Sequence, residues 1–151
     1  MDIILKIKAD LHKFFNVNSY TYNHTLRVFN FISKHYINNE DCIVTKLKII
    51  ALLHDVIEDT DYTIEMLKEM YYNDFIWVLS YTSIIEIFDA LNVITRKTNE
   101  TYIDYINNIK QNKLATIVKV LDLEDNLFNC FIEHNSSLTN RYIKALTILT
   151  K

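Results

Sequence analysis

Apolar positions recur along most of the chain at helical spacing, three or four residues apart, and short polar clusters interrupt them. The clusters NVNS, NNED, TRKTNE and HNSSLTN supply stop signals, and several offer Ser, Thr, Asn or Asp as helix N-caps. The pattern predicts helices at about 2–15, 22–37, 44–59, 63–71, 74–80, 83–95, 101–111, 113–129 and 138–150. Thr98 or Asn99 is the expected cap of ETYIDYINNI. The stretch IWVLSYTSIIEIF is β-branched enough for a strand. Its neighbours are helical and no second alternating segment is available to pair with it, so it reads as helix. The expected fold class is all-α. With no linker, repeat or low-complexity block, residues 1–151 read as one domain.

One apolar run departs from the pattern. In LLHDVIEDT, Leu52 to Thr60, one histidine and three carboxylates sit among aliphatic residues. On a continuous helix with His54 at 0°, Glu58, Asp55 and Asp59 fall near 40°, 100° and 140°, and the aliphatic residues take the other side. A solvated face is the ordinary reading of such a pattern. Here, however, no Lys or Arg accompanies the acids, and clustered carboxylates repel unless a cation joins them.

Two further segments offer partners for such a cation. His24 opens a helix whose face continues through Val28, Phe31 and Ile32. His35, eleven residues on, lies roughly 16 Å further along the axis and cannot share its ion. His12 and His134 sit in polar surroundings and read as surface residues. In ATIVKVLDLEDNLFN, Asp122 has Asn126 and Lys119 within one helical turn, inside an otherwise aliphatic helix. A charge there is expected to be paired or bound to metal. Two histidines and two aspartates from three helices make a mixed nitrogen and oxygen site. That set suits an octahedral divalent ion such as Mn²⁺, Mg²⁺ or Fe²⁺ rather than a closed structural zinc.

Composition narrows the field. The 151 residues contain no glycine and no proline, which excludes glycine-rich phosphate loops such as the Rossmann and Walker A types. A net charge of −3 argues against a general nucleic-acid binder. Cys42 and Cys130 lack CxxC spacing and are expected to be buried, reduced thiols, which suits a cytoplasmic location. The opening MDIILKIKADLHKFF lacks the features of a secretion signal, and no apolar run approaches membrane-spanning length, so no membrane association is expected.

His24, the pair His54–Asp55 and then Asp122 form the H…HD…D pattern of the HD phosphohydrolase superfamily. More narrowly, HDVIEDT resembles the hydrolase domain of the RelA/SpoT homologues, including the small stand-alone alarmone hydrolases, whose HD is followed at this spacing by a Glu-Asp pair. VKVLDLEDNL resembles their second motif, with Asn126 four residues after Asp122. The resemblance covers roughly residues 20–150. It implies an HD-domain helical bundle with His24, His54, Asp55 and Asp122 around a Mn²⁺-like ion. It also implies that Glu58 and Asp59 orient or deprotonate the attacking water and that Asn126 contacts the sugar side of a nucleotide. The implied reaction is hydrolysis of the 3′-pyrophosphate of (p)ppGpp. Lys119, Arg96 and Lys97 are candidate phosphate contacts. The family's basic, glycine-containing segment before the first histidine is missing from NVNSYTYNHTL, and no Arg closely follows Asn126. Two other functions therefore stay open: an HD phosphohydrolase acting on a nucleoside monophosphate or a ppApp-like nucleotide, and a catalytically silent nucleotide-binding module.

Overall fold

The computed structural model describes residues 2–36 and 42–151. The elements are α1 (Ile3–Phe14), α2 (Tyr20–His35), α3 (Cys42–Leu53), α4 (Val56–Asp59), α5 (Ile64–Phe75), α6 (Tyr81–Ile94), α7 (Tyr102–Lys110), α8 (Lys113–Ile132) and α9 (Ser136–Leu149). No strand occurs among the described residues, so the all-α expectation holds. The predicted stop at NNED, with Ile37 before it, lies outside the described residues.

Short polar side chains start these helices. Asp2, Ser19, Thr63, Ser80, Thr101, Asn112 and Asn135 each accept a hydrogen bond from a first-turn backbone N–H, satisfying donors that the helix itself leaves open. The cap of α7 is Thr101, two or three residues beyond the expected Thr98 or Asn99, because Thr101 directly precedes the apolar face of that helix. Lacking glycine, the chain places Asn18 and His134 in the left-handed region, at φ 66° and 53°. At the end of α8, the N–H of Asn135 reaches back to the carbonyl of Cys130 across His134, closing the helix as a glycine commonly does.

Two boundaries differ from expectation. The predicted helices at 63–71 and 74–80 are one helix, α5, which ends at Phe75. Residues 76–79 turn, with Leu79 N–H bonded to Phe75 O. The predicted helix at 44–59 is broken at His54–Asp55, which form a turn between α3 and α4. The reason is local: the His54 imidazole Nδ1 sits 2.8 Å from the carbonyl of Ala51, taking up an acceptor that helix continuation would use.

α3 is the central element, packed against α1, α2, α6 and α8. Ile49, Ile50, Ala51, Leu52 and Leu53 have no exposed surface at all, which explains why IIALL is apolar on every side rather than on one stripe. α8 also packs on α2, α6, α7 and α9. The consequence is that α2, α3 and α8 touch one another pairwise, and the side chains at their meeting point are held by the most deeply buried part of the core. Cys130 is buried as expected. Cys42 is not: it begins α3 at the surface, with its sulfur 3.1 Å from Ser83 Oγ.

Candidate metal centre

Where α2, the α3–α4 turn and α8 meet, His24, His54 and Asp55 bring one donor atom each within 4.8 Å of one another. His24 Nε2 lies 3.0 Å from Asp122 Oδ1 and 3.6 Å from Asp55 Oδ2. His54 Nε2 lies 3.3 Å from Asp55 Oδ2 and 4.0 Å from Asp122 Oδ1. Around an ion with bonds of about 2.1 Å, adjacent octahedral ligands stand about 3.0 Å apart and opposite ones about 4.2 Å. The four separations span that range. His24, His54 and Asp122 are almost fully buried, although 98 positions separate the first from the last.

The tautomers are set from behind. His24 Nδ1 lies 2.7 Å from Asp125 Oδ2, and His54 Nδ1 faces the Ala51 carbonyl. Both acceptors engage Nδ1, so each Nε2 is the ring nitrogen turned toward the centre, free to act as a ligand once it carries no proton. Neither Nε2 has a well-directed hydrogen-bond partner, although both are buried. Buried, unpartnered imidazole nitrogens facing carboxylates are what a bound cation would explain, so these residues fit a divalent ion.

Asp125 is anchored in turn by Arg27, whose Nε and Nη2 donate to its two oxygens at 2.8 and 2.9 Å. Burial would raise the Asp125 carboxyl, but the hydrogen bonds with His24 and Arg27 outweigh it and bring it down to about 2. Asp125 and Arg27 are absent from the residues singled out by sequence. The available signal was spacing: Asp125 lies one turn from Asp122 and Arg27 one turn from His24.

The field of the site favours positive charge. Burial disfavours a charged His24 ring, yet the facing Asp122 and Asp125 carboxylates outweigh it and raise it to about 10, so a bound cation would take the place of the Nε2 proton. Lys119 Nζ sits 2.7 Å from Asp122 Oδ2. Burial opposes that ammonium, and Asp122 with Tyr105 overrides it and holds it charged. Asp122 in turn is held below the usual carboxylate range, because Lys119 and the facing His24 ring outweigh its burial.

Glu58 and Asp59 stand on the open side, on α4. The Glu58 carboxylate accepts from the main-chain N–H of Arg96, and Asp59 Oδ2 accepts from Thr21 Oγ1 at 3.3 Å. Desolvation raises both carboxyls, and for Asp59 the neighbouring Asp55 charge adds to the rise. A cleft of about 420 Å³ opens beside Glu58, lined also by Ile57, Thr95, Arg96, Lys97 and Thr98. The Arg96 guanidinium turns away onto the Glu100 carbonyl, with Nη2 at 2.9 Å. Asn126 Nδ2 donates to Asp122 Oδ1 at 2.5 Å, and its Oδ1 accepts from Tyr20 at 2.9 Å. The Tyr20 ring stacks on His24 with an interplanar angle of 4°. His12, His35 and His134 are exposed and take no part in this cluster.

The family model for the HD domain matches residues 21–127, which include all four candidate ligands, and the chain belongs to the HD-domain family. Members of this family are typically metal-dependent hydrolases. No curated protein matches the chain.

Proposed function

We propose that this protein is a metal-dependent phosphohydrolase that removes the 3′-pyrophosphate of (p)ppGpp-like alarmone nucleotides. The observation that carries the hydrolase reading is the pair of buried imidazole Nε2 atoms facing Asp55 and Asp122, with Glu58 and Asp59 on the open side. The substrate reading rests on HDVIEDT and VKVLDLEDNL, which resemble the RelA/SpoT-type hydrolase motifs.

His24, His54, Asp55 and Asp122 would hold the ion, Mn²⁺ or another octahedral divalent ion. When bound, such an ion lowers the pKa of water and neutralises phosphate charge. The protein's own groups do the rest. Glu58 and Asp59, raised toward neutrality by desolvation, accept the proton of the attacking water. The Arg96 N–H and the Thr21 hydroxyl keep those carboxylates oriented. Lys119 balances Asp122 and limits the repulsion that an incoming phosphate meets. Asn126, held by hydrogen bonds to Asp122 and Tyr20, would contact the sugar side of the nucleotide. Lys97, on the cleft beside Glu58, offers an ammonium to a phosphate, and Arg96 lines the same cleft.

A second reading is an HD phosphohydrolase acting on a different nucleotide. It is favoured by NVNSYTYNHTL, which lacks the basic, glycine-containing segment of the alarmone enzymes just before His24. A silent nucleotide-binding module is disfavoured, because a pure binder has no use for the Glu58–Asp59 pair. Purified protein with Mn²⁺ should be offered ppGpp, pppGpp, ppApp and deoxynucleoside monophosphates, and the products separated by chromatography. GDP with intact pyrophosphate from ppGpp is the expected result. Orthophosphate alone, or turnover confined to 5′-monophosphates, supports the second reading; binding without turnover supports the third.

A further inference from the structure

The turn between α5 and α6, remote in sequence from every candidate ligand, carries an apolar surface that the metal chemistry does not use. Trp77 is 85% exposed at its tip. Tyr72, Ile76, Val78, Tyr81 and Ile85 surround it in sequence and are all exposed. Tyr72 and Ile76 are four residues apart, as are Tyr81 and Ile85, so each pair shares a face of its helix. Aromatic side chains present about 150–250 Å² each when open, and the six exposures together leave on the order of 700 Å² of largely apolar surface. Typical monomers leave no more than about 300–600 Å² in one such patch. A standard protein interface takes about 800 Å² from each partner.

The same face holds a knob and a hole. Between α5 and α6, next to the turn, lies a largely apolar groove of about 200 Å³, lined by Tyr72, Tyr81, Ile84, Ile85 and Phe88 together with Lys68 and Asp89. That volume is of the size of one large aromatic side chain. A protruding tryptophan beside an apolar slot on one surface is self-complementary, which is the requirement of a twofold interface. The charged residues that line the groove are one of each sign, Lys68 and Asp89. That balance of charge suits a partner of mixed charge such as this chain.

We propose that this face is the interface of a symmetric homodimer, in which Trp77 of one copy enters the α5–α6 groove of the other. The proposal is independent of the substrate assignment. It is directly readable, because Trp77 is the only tryptophan in the chain. Sedimentation velocity should give twice the 18.0 kDa chain mass at high micromolar concentration. Trp77 emission should shift to the blue as the dimer forms on raising the concentration. Trp77→Ala should sediment as a monomer with unchanged helix content, since an exposed side chain contributes little to folding. Ile85→Lys obstructs the groove and keeps the probe, so it should be monomeric with red-shifted emission at every concentration. A wild-type protein that remains monomeric and red-emitting at high concentration would overturn the proposal. A dimer that survives both substitutions would overturn it too, by placing the interface elsewhere. So would a monomer whose emission moves to the blue only on anionic vesicles, which would assign the patch to a membrane.

Discussion

Adding a divalent ion should raise the melting temperature, and His54→Ala should remove that effect. His54 is 2% exposed, its Nδ1 is committed to Ala51, and its Nε2 has no bonded partner. In the metal-free protein the centre gathers Asp55 and Asp122, with Glu58 and Asp59 near, and a cation relieves their repulsion only in the folded state. A ligand that binds the folded form alone stabilises it by RT ln(1 + [L]/Kd), about 2.7 kcal/mol at a hundred times Kd. For a chain of this size each kcal/mol moves the melting temperature by about 2–4 °C, so Mn²⁺ in that excess should raise it by roughly 5–10 °C. His54→Ala leaves a cavity and frees the Ala51 carbonyl, which should lower the metal-free midpoint by itself. Each protein must therefore be compared with its own chelator-treated sample by scanning calorimetry. The variant should show less than about a quarter of the wild-type shift, since one of the four donors is missing. An equal shift in wild type and His54→Ala would refute the assignment of Nε2 as a ligand, and no shift in wild type with any of Mn²⁺, Mg²⁺ or Fe²⁺ would refute the centre itself.

Two further outcomes are expected. Glu58→Gln keeps the hydrogen bond from Arg96 but removes the base, so the Mn²⁺-induced melting shift should survive while turnover of whichever nucleotide is active falls by roughly 10²-fold or more. A loss of both would make Glu58 a ligand. The Tyr71 hydroxyl, fully buried and donating to Asp10, is held well above the ordinary phenol range, chiefly by desolvation and then by the Asp10 charge. A proton held more tightly in the folded state stabilises fully below the ordinary value near 10 and is lost as pH rises past it. Urea titrations between pH 9 and 11.5 should therefore show stability falling. Tyr71→Phe should begin about 1 kcal/mol lower and fall less steeply; parallel slopes would contradict this.

Much of the centre was legible along the chain. A histidine and unpaired acids inside an apolar run violate the usual segregation of charge, and Asp122 does so again in α8. These violations stand out in one dimension, because burial can be inferred from the aliphatic neighbours of each residue. The all-α class was legible for the same reason: helical periodicity and polar caps are local. The break at His54–Asp55 was not. It depends on an imidazole folding back onto a carbonyl three residues earlier, and a wheel drawn through Leu52–Thr60 assumes the continuity that this contact ends. Arg27 and Asp125 were hidden differently. Each looks like an ordinary surface charge until α2 and α8 pack together and set the guanidinium against the carboxylate across 98 positions. The role of Arg96 also needed the fold, since its main-chain N–H, carrying no side-chain identity, is what reaches Glu58. Residue type and periodicity determine which groups are costly to bury. Only packing decides which partner offsets the cost, because partners distant in sequence become neighbours only after the helices dock.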